Sequence, residues 1–290
     1  MPAGTYDRAI QDIGNILALE HVNLRIPDQG IATIFYVLGL GLTRDPYLMV
    51  GTDNMWINVG QQQFHLPTGD PQVLRGYIGV VVPDPDVLVS RLEAVRNKLV
   101  GTRFDYAVRD KHVSITCPWG NSFRCHAAGP EFGDMTLGIA YVEFPVKPGH
   151  ASGIGKFYGT VLGAPATVIP EAGGAVGRVR VGARQELIFR ETPKDLPPYD
   201  GHHIAIYIAN FAGPHQVLER YGLLTEESNE YQYRFQDIVD LETRHSLFVV
   251  EHEVRSATHP MYMRPLVNRN PSQRQRTYVR GRDAFMPGMG

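Results

Sequence analysis

Apolar positions along this chain fall in short runs, and four of the runs resemble one another. Glu20–Pro27, Gly76–Pro83, Gly138–Pro145 and His202–Ala209 each alternate or run apolar and stop near Pro or a small residue. That is the signature of a half-buried or buried strand. Aligned on their last pair, they put His21, Tyr77, Ile139 and His203 in one column. A helical pattern follows each run. Asp28 stands as an N-cap before Ile31, Ile34, Phe35 and Leu38, and Asp84 or Asp86 before Val87, Leu88, Leu92, Val95 and Leu99. Phe35-Tyr36 ahead of Leu40-Gly41 and Phe157-Tyr158 ahead of Leu162-Gly163 repeat one helix with one glycine stop. Val217, Leu218 and Tyr221 before Gly222 supply the fourth. Short strands come next, among them Met55–Val59, Val113–Thr116 and Ser246–Val250. The unit reads β-α-β-β-β, and it recurs over residues 17–70, 71–130, 135–195 and 200–254, leaving a tail at 255–290.

Composition fits this picture. The 290 residues are 43% hydrophobic and 20% charged, enough apolar material for a sizeable core. Thirty Gly and 21 Pro suit many short elements joined by turns. A net charge of −2 gives no global pull toward nucleic acid or an anionic membrane. No apolar run reaches the roughly 18 residues of a membrane span, and Met1–Asp12 lacks the pattern of a signal peptide. Two cysteines, Cys117 and Cys125, are too few for a secreted disulfide scaffold, so a cytoplasmic protein is expected. The tail is different. It holds seven Arg, one Asp and no Lys, with Pro260, Pro265 and Pro271 among apolar spacers. This reads as an extended segment that docks on the body or on a second subunit of a homo-oligomer.

The tandem β-α-β-β-β unit, with a His early in the first strand and a His or acid late in the last, resembles the vicinal oxygen chelate superfamily. That group holds glyoxalase I, bleomycin-resistance proteins and extradiol ring-cleaving dioxygenases. The resemblance covers roughly residues 17 to 255 and implies an α+β fold in which two modules pair into an open barrel around a metal. Each module then offers one position on its first strand and one on its last. The last-strand positions are His65, Arg124, Ile188 and Glu251.

The pairing of modules decides the chemistry. Modules one and two together would set two imidazoles beside Arg124, which repels a cation. Modules three and four would offer two ligands and two hydrocarbons. Modules one and four collect His21, His65, His203 and Glu251, all able to bind a first-row metal. Modules two and three then form a metal-free barrel. The expected fold is therefore four modules in two open barrels, with modules one and four paired around the metal.

Two His and one carboxylate form the facial triad of non-haem Fe(II) oxygenases, and His21, His203 and Glu251 supply it. The layout resembles hydroquinone ring-cleavage dioxygenases, which carry a His before the second metal His, matched by His202. They also carry an Arg 17 residues before the metal Glu, matched by Arg234. The chain departs from them at Glu20, where they have His, and at 240–243, which reads Asp-Leu-Glu-Thr without their Tyr. The resemblance thus implies Fe(II), or Mn(II), with a small aromatic substrate and O₂ as partners and neither nucleic acid nor membrane.

His65 has three readings: a fourth ligand, an acid or base, or a turn residue before Pro67. His202 is expected to face away from His203, with His65 or His202 shuttling protons, and Arg234 is expected to orient substrate. Strand alternation sends Glu251 and His252 to opposite faces, so a register error would substitute His252 or Glu253. Two rival functions remain. One is a glyoxalase-type isomerase or lyase using the metal as a Lewis acid, and the other is a non-catalytic binding protein of the resistance type.

Overall fold

The computed structural model describes residues 6–48 and 53–269. Module one comprises β1 (Ile16–Asn23), a helix that starts as α1 (Gln29–Ala32) and continues as a π-helix over Thr33–Gly39, then β2 (Thr43–Arg44), β3 (Asn54–Val59) and β4 (Gln62–Pro67). Module two follows with β5 (Tyr77–Val82), α2 (Pro85–Arg96), β6 (Asp105–Val108), β7 (Val113–Thr116) and β8 (Ser122–Ala127). Module three has β9 (Gly138–Val146), α3 (His150–Val161), β10 (Ala166–Glu171), β11 (Gly174–Arg180) and β12 (Glu186–Glu191). Module four has β13 (His203–Ile208), α4 (Ala212–Tyr221), β14 (Leu224–Asn229), β15 (Gln232–Val239) and β16 (Ser246–Ser256). The caps act as the sequence requires: Asp28 accepts from the Ile31 amide and Asp84 from those of Asp86 and Val87.

Two eight-stranded sheets result. One runs β14-β15-β16-β13-β1-β4-β3-β2, and the other β10-β11-β12-β9-β5-β8-β7-β6. Modules one and four therefore share a sheet, and modules two and three share the other. In every module the last strand lies parallel to the first. The first strands of partner modules meet antiparallel at the sheet centre. The helices carry the apolar core. Phe35 and Tyr36 pack with Phe64 and Phe123, while Phe157 and Tyr158 reach Phe235 and Phe189. Cys117 and Cys125 are buried free thiols. Among the described residues, no helix is long and apolar enough to cross a membrane.

Register corrects one column. Tyr77 faces Glu143 across β5 and β9 as His21 faces Ala205 across β1 and β13. The counterpart of His203 is thus Tyr141, two residues beyond Ile139. Gly79 makes room for that ring: a Cβ there would lie 2.2 Å from Tyr141 Cε1. Tyr77, Arg124, Tyr141 and Ile188 hold the four equivalent places of the second barrel, and none is a usual ligand of a divalent metal.

One amide joins the two barrels. Strand β1 carries a bulge at Glu20, between Leu19 and His21, and such a bulge leaves backbone groups outside the ladder. Gln185 Oε1 accepts from the Leu19 amide, and its Nε2 donates to Leu19 O and Ile139 O, all at 3.0 Å. A Gln185→Leu substitution is expected to destabilise the protein by about 3 kcal/mol, since buried groups lose their partners. The urea unfolding midpoint would read this.

The tail docks on module one. Arg264 Nη2 lies 2.8 Å from Asp45 Oδ2. Asn268 exchanges side-chain hydrogen bonds with both backbone groups of Gly60, and Arg269 N donates to Thr43 Oγ1. Arg274, Arg276, Arg280 and Arg282 lie outside the described residues.

Candidate metal centre

On one face of the sheet formed by modules one and four, β1 and β13 bring His21 Nε2 within 3.5 Å of His203 Nε2. His65, from β4, joins them, and one nitrogen from each of the three rings lies within 4.8 Å of the others. His21 is fully buried and His203 nearly so. The His65 ring stacks on Trp56 at 3.9 Å and 13°, and Trp56 meets His21 edge-on.

The two carboxylates of β16 divide between the nitrogens of His203. Glu251, expected in the cluster, sets its Oε1 3.4 Å from Nδ1, the far side of the ring. Glu253 sets its Oε2 3.4 Å from Nε2, the nitrogen facing His21. Register explains the difference. His21 pairs with Gln63 and His203 with Glu251, and His65 lies two residues beyond Gln63. Its equivalent in module four is therefore Glu253.

His252 points to the opposite face and is structural. It is buried, stacks on Phe235 at 4.2 Å, donates from Nδ1 to Val250 O, and accepts at Nε2 from Tyr158 Oη at 2.6 Å. His202 does not join the imidazole cluster. Its Nδ1 is held by Asp200 at 2.6 Å, and its buried Nε2 has no partner. Arg234 is committed to protein carboxylates. It spans Glu251 and Glu253 at 2.5 and 2.6 Å, where substrate contact had been expected. Glu20 pairs with His21 Nδ1 and with Arg255, which also meets Glu253. Sequence reasoning gave neither Glu20 nor Arg255 a role. Glu20 was visible only as a departure from the family pattern, and Arg255 only as the first residue of a basic tail.

Charges of both signs meet at the centre, with Arg234 and Arg255 both against Glu253. Burial works against charge on Glu253, but His203, His21 and Arg255 outweigh it and hold the carboxyl well below its usual range. Glu20 is likewise buried, and His21 and Arg255 bring it below the ordinary carboxylate value. Burial, with His21 and His203 adding to it, lowers His65 to about 2, so its ring is neutral with its lone pair available. Neither His65 nitrogen has a hydrogen-bond partner among the described residues. Unpartnered buried nitrogens beside two imidazoles are what a first-row metal site offers, and Glu253 meets this cluster of three rings at His203.

Burial also lowers His252 to about 3. Below pH 6.5 the unfolded chain takes up protons that the folded His65 and His252 rings refuse. The metal-free protein should lose about 1.4 kcal/mol per pH unit for each ring as pH falls from 6.5 to 4.5. Urea melts across that range would check it.

Two open eight-stranded sheets built from paired β-α-β-β-β modules are the vicinal oxygen chelate fold. No protein-family model matches the chain, and no curated protein does. Among solved structures, a putative dioxygenase from Bacillus subtilis superposes with a TM-score of 0.56 at 14% identity, covering 83% of this chain and 86% of that one. Glyoxalase I from Zea mays superposes with a TM-score of 0.55 at 12% identity, covering 83% and 92%. The chain is thus similar in fold to both a putative dioxygenase and a glyoxalase I.

Proposed function

We propose that the protein is a non-haem Fe(II)-dependent, extradiol-type dioxygenase that opens the ring of a catechol or hydroquinone. Its metal would be held by His21, His203 and Glu253. One observation carries this reading. A ligating imidazole normally gives its other ring N–H to a carboxylate or carbonyl. Glu20 stands at Nδ1 of His21 and Glu251 at Nδ1 of His203, whereas His65 has no such partner. Two imidazoles are thus built as ligands and the third is left free, which with Glu253 gives two His and one carboxylate. Glu251 becomes the residue that orients His203.

Iron, or manganese, in that triad would supply open positions and the redox capacity to join a ring diol with O₂. The protein does the rest. His65, neutral and fixed by stacking on Trp56, would hydrogen-bond a bound hydroxyl and orient it. Trp56 walls the site against water. Arg234 bridges Glu251 and Glu253 and fixes their relative positions. His202, held by Asp200, would fix the chain just before His203.

The placement of the His65 ligand atom within 4.8 Å of the other two imidazoles favours a second reading, a four-donor lyase or isomerase. Anaerobic metal analysis with oxygen uptake on a panel of catechols and hydroquinones separates the two. Iron with stoichiometric uptake supports the dioxygenase. Zinc or nickel without uptake supports the other reading and sinks this one.

A further inference from the structure

Beneath the tail runs a ladder of charges that joins the two modules of the cup. Arg234 meets Glu253, Glu253 meets Arg255, Arg255 meets Glu20, and Glu20 meets His21. The ladder starts and ends in the candidate centre, crossing from module four to module one. Arg255 is its middle rung. It is 6% exposed, and its guanidinium touches Glu253 Oε1 at 2.5 Å, Glu20 Oε2 at 3.2 Å and Gln232 Oε1 at 3.1 Å. Tyr207 Oη accepts a further contact at 3.4 Å. The tail roofs this rung. Met261 Sδ lies 4.0 Å from Arg255 Nη1, Tyr262 packs edge-on against Tyr207 at 4.9 Å, and Arg264 pins the segment to the buried Asp45.

We propose that Glu20 and Arg255 are positioning residues for the metal, and that the tail keeps water from the ion pair that does the positioning. This rests on the metal-site reading above. Glu20 presents a carboxylate to His21 Nδ1, fixing the ring so that Nε2 faces His203. Arg255 holds Glu20 and Glu253 in place together, so orientation of a module-one imidazole and of a module-four carboxylate depends on one guanidinium. A buried guanidinium shared by two carboxylates is costly to leave half-paired, which ties the two groups to one geometry.

The test is metal affinity, read by chelator competition with Co(II) and Zn(II) and by the Co(II) visible spectrum, on the full chain. Glu20→Gln should weaken binding about 10–100-fold, the usual cost of losing an orienting carboxylate, and shift the Co(II) bands. Arg255→Met should weaken it comparably and Arg255→Lys less. The double variant should lose less than the two single losses combined, because its charges are again balanced. Arg264→Ala, which removes one anchor of the roof, should speed metal release while far-ultraviolet circular dichroism stays unchanged. Unchanged affinity and spectra in Glu20→Gln, with Arg255→Met lowering only thermal stability, would overturn the proposal. If Glu20→Gln fails to fold, the Arg255→Lys and Arg264→Ala measurements decide it by the same criteria. Wild-type protein that binds neither metal would instead overturn the metal-site reading itself.

Discussion

Glu253→Gln should leave the purified protein without stoichiometric metal, while Glu251→Gln should keep metal at an affinity about 10–100-fold lower. The two residues share a face of β16 and an arginine, so composition and burial do not separate them. The nitrogen each one meets does: Glu251 stands at Nδ1 of His203 and Glu253 at Nε2. A ligand removed and an orienting group removed have different costs. The glutamine in each variant keeps volume and removes charge, and Arg234 retains one carboxylate partner in both. Metal-to-protein ratio after desalting, beside circular dichroism, is the measurement. The reverse order of effects would return Glu251 to the metal and place Glu253 in the supporting role.

The second large effect concerns His65. His65→Asn should hold metal at near wild-type affinity and lose about 10²-fold in turnover, the cost of losing a group that orients the substrate. His21→Ala, by contrast, should lose the metal. The contrast rests on hydrogen bonding: Glu20 anchors His21, whereas among the described residues His65 is held by ring contacts with Trp56 and His21 and by no hydrogen bond. Equal metal loss in both variants would make His65 a fourth ligand and favour the lyase reading. Steady-state oxygen uptake at saturating substrate, normalised to bound metal, separates chemistry from loading.

Much of the architecture was legible because it repeats. The two Phe-Tyr helices with their glycine stops and the column of first-strand residues located the modules. The exclusion of Arg124 from a cation site led to the pairing of one with four, which the strand order displays. Register was harder to read. From sequence, 44 residues separate His21 from His65 and 48 separate His203 from Glu251, which looks like agreement. The hairpin of β14 and β15 and the irregular pairing of β15 with β16 add length to module four, so the true equivalent lies at Glu253. A two-residue shift keeps the same face of a strand, and hydrophobic patterning does not detect it. The same holds for Ile139 and Tyr141. The bulge at Glu20 was invisible because it depends on the amide of Gln185, 166 positions away. Arg234 was found by spacing, and only its commitment to two carboxylates needed coordinates.

The strand order also dictates how the molecule can be made. The sheet of modules two and three spans one continuous stretch, from Tyr77 to Glu191, and can close as soon as that stretch has left the ribosome. The other sheet cannot. Strand β1 pairs with β4 at once, but its second edge stays bare until β13 is synthesised. A bare edge on an apolar strand is a site for mispairing. Closing a loop of such length makes this pairing the slow, non-local step of folding. Metal capture should thus come last, after the inner barrel has already brought the ends of the chain within reach.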